Sequence, residues 1–158
     1  MENMKHILPG EGFGSLRFGM NRFQVRAALG EPDEIERDEE SEDLEYWHYD
    51  ELDLSLTFDE LEEWRLTTIV SADDEIELFG VLIKALNREE LLDILKKHGA
   101  SEIHTEVVES GEESLEIVEA EEFEMLIWLE GGAITEVQWG PYFSDEDTIN
   151  WPAELNLN

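Results

Sequence analysis

Apolar and polar residues alternate over two long stretches of the chain, and this period of two is typical of strands that bury one face. Every second residue is apolar in residues 52–58 and again in residues 123–129. The apolar positions correspond one to one: Leu52, Leu54, Leu56 and Phe58 in the first stretch, and Phe123, Met125, Ile127 and Leu129 in the second. We therefore predict a strand in each stretch.

Shorter runs rich in β-branched and aromatic residues predict further strands around these two. They cover residues 46–49, 64–70, 103–108, 115–118 and 133–139. Gly131 and Gly132 are typical of a tight hairpin turn, here between the last two strands. A meander of antiparallel strands with one polar face leaves its apolar face to be covered by a helix.

Two short helices are predicted from their capping residues. The N-cap and capping-box residues are Asn21 and Gln24 for the first helix, and Asn87 and Glu90 for the second. The first helix, residues 22–29, is expected to end at Gly30 and Pro32, and the second at Gly99.

The stretch 13–32 occurs a second time as residues 79–99. The matched pairs are Phe13 and Phe79, Gly14 and Gly80, Leu16 and Leu82, Asn21 and Asn87, Arg22 and Arg88, Val25 and Leu91, and Leu29 and Leu95. Because strands follow each copy in the same order, the sequence predicts an α+β fold of two tandem repeats, each a short helical segment packed on an antiparallel β-meander. We place the first α+β repeat at residues 1–74. The second, residues 75–158, carries an aromatic and acidic C-terminal tail, and the two form one compact unit.

Three segments fall outside the repeat pattern. In the lead-in of residues 1–11, Ile7 and Leu8 are predicted to add an edge strand or a plug. The acid-rich stretch 31–43 is predicted to be a solvated connector. The tail from residue 140 carries aromatic side chains among its acids and is expected to pack against the domain.

The charge of the chain is far from balanced. Its 158 residues include 42 acidic and 10 basic ones, which gives a net charge of -32. Such an excess argues against DNA, RNA or an anionic membrane as partner, because each phosphate contact needs a Lys or Arg. It favours a cationic partner, a metal ion or a saline environment.

Cysteine is absent from the sequence, which excludes disulfides, zinc–thiolate sites and a thiol nucleophile. The N-terminal residues do not form the apolar core of a secretory signal, and no run approaches the ~20 apolar residues of a membrane span. We therefore expect a soluble, cytoplasmic protein.

The opening of the first repeat resembles a known family. The residues that carry the resemblance are Phe18, Gly19, Met20, Val25, Leu29, Gly30 and Pro32. This pattern, followed by a meander of strands, is similar to one repeat of the beta-lactamase-inhibitor-protein-like fold and of the small outer-membrane assembly lipoproteins. The resemblance covers most of residues 13–70, and residues 79–139 more loosely, since Ala85-Leu86 replaces the Gly-Met pair there and the closing proline is missing. It implies a curved sheet face that binds a protein partner, and no catalysis.

Candidate catalytic groups do not form a recognisable motif. The four histidines are His6, His48, His98 and His104. None belongs to a nucleophile–base motif, and no Gly-x-Ser-x-Gly elbow occurs. His98, directly before Gly99, is assigned a structural role at a helix C-terminus. We predict no catalytic residues, no cofactor and no enzyme activity.

Two compact acidic clusters, residues 73–75 and 145–147, are the candidates for a calcium site. Neither has the alternating ligand spacing and the sixth-position glycine of an EF-hand. We therefore predict no specific metal site.

Residues 13–30 and 79–88 contain no acid at all. Their basic residues are Arg17, Arg22, Arg26, Lys84 and Arg88. We interpret these side chains as internal counter-charges for nearby carboxylates.

These observations favour a non-catalytic module that binds a basic protein. Its most concrete form is an acidic immunity or inhibitor protein that neutralises a basic, nuclease-type bacterial toxin by occupying its phosphate-binding groove. The candidate partner-binding residues are aromatic anchors with an acidic rim: Trp47, Tyr49, Trp64, Leu126, Trp128, Trp139, Tyr142, Phe143, Asp145, Glu146 and Asp147.

Two alternatives stay open at this point. The chain can be a general cytosolic structural or adaptor domain whose acidity reflects a saline habitat. It can also be a hydrolase that uses a carboxylate pair, although no residues of the repeat have the character of an active site.

Overall fold

The computed structural model describes residues 5–40, 43–110 and 113–152. The strands in these ranges are β1 His6–Leu8, β2 Gly12–Phe13, β3 Leu16–Arg17, β4 Glu34–Arg37, β5 Leu44–Tyr49, β6 Leu54–Asp59, β7 Arg65–Ser71, β8 Glu77–Leu78, β9 Val81–Leu82, β10 Ile103–Ser110, β11 Glu113–Ala120, β12 Met125–Glu130, β13 Ala133–Trp139, β14 Tyr142–Phe143 and β15 Ile149–Asn150. The α-helices are α1 Arg22–Leu29 and α2 Arg88–Lys97. The α+β class predicted from the sequence is confirmed.

One eight-stranded antiparallel sheet dominates the molecule. Its strand order is β10-β11-β12-β13-β7-β6-β5-β4. The strands before and after residue 74 join edge to edge where β13 pairs with β7, with Val137 opposite Ser71 and Trp139 opposite Ile69. A single continuous sheet therefore runs through both parts of the chain.

A five-stranded sheet of very short strands covers part of the large one, in the order β3-β2-β1-β8-β9. The lead-in strand β1 is central here, because it pairs with β2 on one side and with β8, in parallel, on the other. The prediction of an edge strand or plug at Ile7 and Leu8 is therefore wrong. Ile7 is buried because its side chain packs in the hydrophobic core.

Both helices begin as the sequence predicts. The Asn21 side-chain oxygen accepts the Gln24 N–H, and the Gln24 side-chain oxygen accepts the Asn21 N–H. Asn87 and Glu90 form the same capping box. The predicted span 22–29 of the first helix is confirmed.

The alternating stretches are strands, but each begins later than predicted. Leu54, Leu56 and Phe58 are buried, whereas Leu52 ends a 3-10 turn, Asp50–Leu52, and is only half-buried. Likewise the 3-10 turn Glu121–Phe123 precedes β12. In both places an acidic residue in a left-handed conformation, Asp53 or Glu124, separates the turn from the strand.

The prediction that residues 31–43 are a solvated connector is wrong for residues 34–37. These residues form β4, the exposed edge of the large sheet, paired with β5. An edge strand tolerates this density of charge because only one of its sides has to pair, and charge there discourages further strand pairing.

The core lies between the large sheet and the layer of helices and short strands. The Trp139 ring meets Phe13 edge-on at 5.6 Å, and its Nε1 donates to the Gly12 carbonyl at 2.9 Å. On the other half of the sheet, the Arg26 guanidinium lies 4.8 Å from the centre of the Trp47 ring. The face of the sheet that carries these tryptophans is therefore the inner face.

The described part of the tail, up to residue 152, packs against the domain as expected. Strands β14 and β15 form a small hairpin. A Cβ at Gly10 would lie 2.3 Å from the Tyr142 ring, so this close approach requires glycine. Trp151 is half-buried and lies 5.8 Å from the Arg65 guanidinium.

Candidate protein-interaction surface

The outer face of the large sheet is its face opposite the helices. A single row of paired residues crosses all eight strands on this face. From one edge to the other, the row contains Glu34, His48, Ser55, Val70, Gln138, Leu126, Glu119 and His104. All of them are half-buried or exposed. Strand pairing therefore holds the outer face as a rigid surface.

Half-buried apolar residues group together on this face at strands β11 and β12. Ile117 pairs with Trp128, and Trp128 pairs with Glu136 on β13. Leu126 lies two residues from Trp128 on the same side of β12. The sequence prediction that Leu126 and Trp128 face away from the buried side of their strand is confirmed.

A groove of about 550 Å³ continues the outer face toward the C-terminal hairpin. We call it the acidic groove. The carboxylate residues that line it are Asp59, Glu62, Glu119, Glu121, Glu124, Glu146 and Asp147. Its apolar lining residues include Met125, Leu126, Trp139, Phe143 and Ile149. Thus the groove combines a strongly negative field with apolar surface.

Electrostatic crowding in the groove is visible at Glu124. Its partial burial, together with the nearby carboxylates of Glu121 and Glu119, raises the pKa of Glu124 above its ordinary value. A carboxylate whose ionisation is opposed in this way gains more than an isolated one when a cation approaches. The arrangement favours a positively charged ligand.

A second recess of about 340 Å³ lies toward the other edge of the sheet. It contains His48, whose Nδ1 lies 2.8 Å from Ser55 Oγ and whose Nε2 lies 3.0 Å from Glu36 Oε1. The trio is not visible in the sequence, because its three residues lie on three different strands. Only their register across β4, β5 and β6 brings them together.

The trio connects a carboxylate, an imidazole and a hydroxyl in the order found in serine nucleophiles. The position of Ser55 in the sheet does not support nucleophilic catalysis. Ser55 lies within β6, which is paired on both sides. Backbone N–H groups in such a strand are engaged in the ladder, so they are unavailable to stabilise an oxyanion. We interpret the trio as a polar link between strands.

Three of the predicted contact residues belong to the core. Trp47 and Trp139 are each 1% exposed, and Tyr49 is 6% exposed. They lie at the inward positions of β5 and β13, so they cannot act as surface anchors, and this part of the prediction is wrong. Tyr49 donates to the Gly30 carbonyl, and burial raises its pKa to about 12.

The remaining predicted contacts are at least partly accessible, but they do not form one patch. Leu126, Phe143, Glu146 and Asp147 line the acidic groove. Trp128 lies on the neighbouring part of the outer face. The prediction missed the carboxylates of Asp59, Glu62, Glu119, Glu121 and Glu124, whose outward or turn positions were the available signal.

Trp64 lies apart from the groove, beside the first helix. Its ring is 4.5 Å from the Arg22 guanidinium and 6.0 Å from that of Arg37. Both arginines also approach the buried carboxylate of Glu45, at 3.3 and 3.0 Å. This cluster is a structural one.

The interpretation of the helix-proximal basic residues as counter-charges is confirmed for Arg22 and for three others. Arg26 pairs with Glu31 at 2.8 Å. Arg88 pairs with Glu116 at 2.9 Å, and Lys84 with Asp74 at 3.2 Å. Arg17 donates to the carbonyls of Gly14 and Leu16. These cations thus serve local structure.

The two acidic clusters singled out in the sequence have structural contacts. In the first, the Lys5 ammonium forms ion pairs with Asp73 at 3.1 Å and with Glu75 at 2.9 Å. In the second, the Asp145 carboxylate accepts the N–H groups of Asp147 and Thr148, which closes the turn of the C-terminal hairpin. Those bonds lower the pKa of Asp145.

A further group of possible metal ligands is formed by Glu102, His104 and Glu121, whose ligand atoms lie within 4.8 Å of one another. All three residues are exposed, and exposed acidic groups commonly approach each other without an ion. This group therefore does not indicate a metal site.

His98 caps the end of α2, where its N–H donates to the Ile94 carbonyl. Its ring stacks on Phe79 at 3.9 Å. Both contacts agree with the structural role predicted for it. Among the helices in the described ranges, none is long and apolar enough to cross a membrane.

Comparisons with known proteins give distant similarities. No family model matches the chain, and no curated protein matches it. An extracellular protein containing a SCP domain from Bacillus anthracis str. Ames aligns with a TM-score of 0.46 at 20% identity, over 78% of this chain and 43% of that one. This chain thus spans less than half of that protein's length. A DUF4309 family protein from Bacillus subtilis subsp. subtilis str. 168 aligns with a TM-score of 0.41 at 14% identity, over 77% of this chain and 78% of that one.

Proposed function

We propose that this protein is a non-catalytic binding module for a basic protein partner, most concretely a cytosolic immunity or inhibitor protein that neutralises a basic, nuclease-type toxin. The observation that carries the proposal is the outer face, where half-buried apolar residues lie beside a groove lined by seven carboxylate residues. A nuclease presents a basic groove to phosphates, and an acidic surface with apolar anchors is complementary to it.

The segregation of charge supports the same proposal. In the described residues, Arg22, Arg88 and Lys84 pair with carboxylates of the inner face or of nearby loops. These three cations are thus engaged away from the outer face, in a chain whose net charge is -32. A field of this size accelerates the encounter with a positively charged protein, and added salt weakens it.

We propose further that the scaffold is a tandem repeat. Each half contains, in order, a pair of short strands, a capped helix, two strands, a 3-10 turn and two more strands. The first residue of each helix also pairs with a carboxylate on the second strand after it: Arg22 with Glu45, and Arg88 with Glu116. The resemblance of residues 13–70 to the beta-lactamase-inhibitor-protein-like fold is a separate argument from the sequence, and it implies a scaffold that binds protein partners.

The experiment that tests this function is titration with basic ribonuclease-type toxins encoded beside the gene. We expect a 1:1 complex at low salt that weakens as salt is added, with loss of nuclease activity. If neither a neighbouring toxin nor any basic ribonuclease binds at low salt, the proposal is wrong.

A further inference from the structure

The acidic groove brings carboxylates together from three separate parts of the chain. Asp59 is the last residue of β6 and Glu62 lies in the turn that follows it, while Glu121 and Glu124 come from the turn after β11. Glu146 comes from the C-terminal hairpin. A ligand in the groove is therefore approached by negative charge from more than one side.

Cationic side chains lie beside the groove but not in its lining. Arg65 is opposite Asp59 where β7 pairs with β6, and it pairs with Glu63 at 3.4 Å. The residues that line the groove include no Lys or Arg. Glu121 has the imidazole of His104 at 3.5 Å, and both side chains are largely exposed. Partial burial raises the pKa of Glu124, and the nearby carboxylates of Glu121 and Glu119 raise it further. A cation that enters the groove relieves this repulsion.

The walls of the groove distinguish between kinds of cation. Phe143 is 47% exposed, and the half-buried Leu126 and Ile149 add apolar surface. A guanidinium group is planar, weakly hydrated and able to stack on an aromatic ring while it binds a carboxylate with two hydrogen bonds. An ammonium group is a compact, strongly hydrated charge that loses more on leaving water.

The size and position of the groove indicate a protein segment as the occupant. Its volume of about 550 Å³ is within the range of sites that enclose a whole ligand, and exceeds what a single ion needs. The groove shares Glu119, Leu126 and Gln138 with the row that crosses the outer face. A partner that docks on the outer face can therefore extend into the groove.

We infer that the acidic groove is the specificity subsite for the partner, and that it receives arginine side chains from a basic segment of that protein. This inference rests on the proposed function and adds to it the location and the chemical class of the recognised group. Arginine is selected because the groove presents carboxylates and apolar walls together.

The test uses an acetylated, amidated peptide that carries two arginines, with two control peptides in which the arginines are replaced by citrulline or by lysine. Three proteins are compared by isothermal titration at low salt. They are the unmodified chain, a groove variant with Glu121→Gln, Glu124→Gln and Glu146→Gln, and a control variant with Glu39→Gln, Glu40→Gln and Glu51→Gln. Both variants lose three negative charges, so a general attraction to the acidic protein changes equally in the two.

We expect the groove variant to bind the arginine peptide about tenfold more weakly than the control variant, which corresponds to roughly 1.4 kcal/mol. The lysine peptide should bind the unmodified chain more weakly than the arginine peptide, and the citrulline peptide should not bind. In amide NMR spectra, the shifts caused by the arginine peptide should concentrate at Leu126, Gln138 and Phe143. Far-ultraviolet circular dichroism verifies that both variants are folded.

Equal weakening in the two variants, or shifts centred on His48 and Ser55, would overturn the inference. So would tight binding of the citrulline peptide. These outcomes are separable from failure of the proposed function, because a basic ribonuclease can still bind the unmodified chain when the groove is not its subsite. If the basic ribonuclease also fails to bind the unmodified chain, both the inference and the proposed function are wrong.

Discussion

At the scale of single residues, the buried carboxylate of Glu45 is the shared partner of Arg22, Arg37 and Trp47 beside the first helix. Its side chain is 4% exposed and accepts from Trp47 Nε1 at 2.7 Å, besides pairing with Arg22 and Arg37. A buried charge is tolerated when its hydrogen bonds are made, and removing one partner leaves the others unsatisfied.

Replacing Glu45 is therefore predicted to destabilise the fold. We expect Glu45→Ala to lower the free energy of unfolding by about 2–3 kcal/mol, because it leaves the Trp47 indole N–H and the Arg22 guanidinium without their acceptor. Urea denaturation followed by tryptophan fluorescence measures this. Glu40→Ala, at an exposed position, should change the value by less than about 0.5 kcal/mol. A similar small change in both variants would contradict the account.

Glu122 gives a pH-dependent prediction. Hydrogen bonds from the Ser101 hydroxyl and from backbone N–H groups lower the pKa of Glu122 from 4.5 to about 2. A carboxyl whose pKa is depressed in the folded state contributes stability above its unfolded pKa, and this contribution is lost as the pH falls through the folded pKa. The contribution is therefore complete at neutral pH and disappears between about pH 4.5 and pH 2.

The variant Glu122→Gln is accordingly predicted to melt below the unmodified protein at pH 7, with a gap that closes as the pH approaches 2. Thermal melts at pH 7, 4 and 2.5 measure the gap, and Glu40→Gln controls for the loss of one surface charge. A gap that stays constant over this range would show that the hydrogen bonds of the ionised carboxylate are not its cause.

At the scale of elements, the two turns that lead into β7 and β13 differ in how well their residues suit the backbone. Glu63 and Trp64 both have φ near +59°, and Gly131 and Gly132 have φ of +58° and +87° in the other turn. Left-handed backbone costs an L-residue roughly 1–2 kcal/mol, whereas glycine adopts it freely. The first turn therefore stores strain that the second avoids.

We predict that Glu63→Gly raises the free energy of unfolding by about 0.5–1 kcal/mol, since relief of strain exceeds the added entropy of glycine in the unfolded chain. The matched change Gly131→Ala should lower it by about 1 kcal/mol, because a Cβ there meets no atom within 4 Å and only backbone strain changes. Chemical denaturation of both variants checks this, together with Glu63→Ala, which removes the side chain beyond Cβ and keeps the backbone restriction of an L-residue. Destabilisation by Glu63→Gly would contradict the prediction.

Elements with local signals were predictable from the sequence, and elements set by long-range pairing were not. The helix bounds followed from Asn21 and Gln24, which act within one turn. Strand β4 was missed because its charges match those of a solvated loop, and only pairing with β5 identifies it. The acidic groove was missed for a similar reason, since its walls come from turns about sixty residues apart that meet through the pairing of β7 and β13.

Burial of the aromatic residues shows the same distinction. Trp47 and Trp128 each lie within a strand of the large sheet, yet Trp47 is buried and Trp128 is half-buried on the outer face. The period of two separates the faces of a strand, but it does not say which face the helices cover. The alternation of residues 123–129 is long enough to place Trp128 on the face opposite the buried residues. Residues 46–49 are too short a run to assign Trp47 to either face.

At the scale of the whole molecule, the net charge of -32 makes stability depend on salt. Repulsion among surface carboxylates falls as the screening length shortens from about 10 Å at 0.1 M salt to about 3 Å at 1 M. We predict that the melting temperature rises with potassium chloride and levels off by about 1 M, with a folded protein already present at low salt. A chain that is unfolded at low salt and gains stability throughout the molar range would favour adaptation to a saline habitat over partner binding.

The central claim is that the negative outer face neutralises a basic nuclease. The most direct measurement is the activity of a basic ribonuclease-type toxin encoded beside the gene, assayed while this protein is titrated in. The account predicts that activity falls to background at an equimolar ratio and returns as salt is raised, with the groove variant less effective than its charge-matched control. Full nuclease activity in the presence of excess protein at low salt would contradict it.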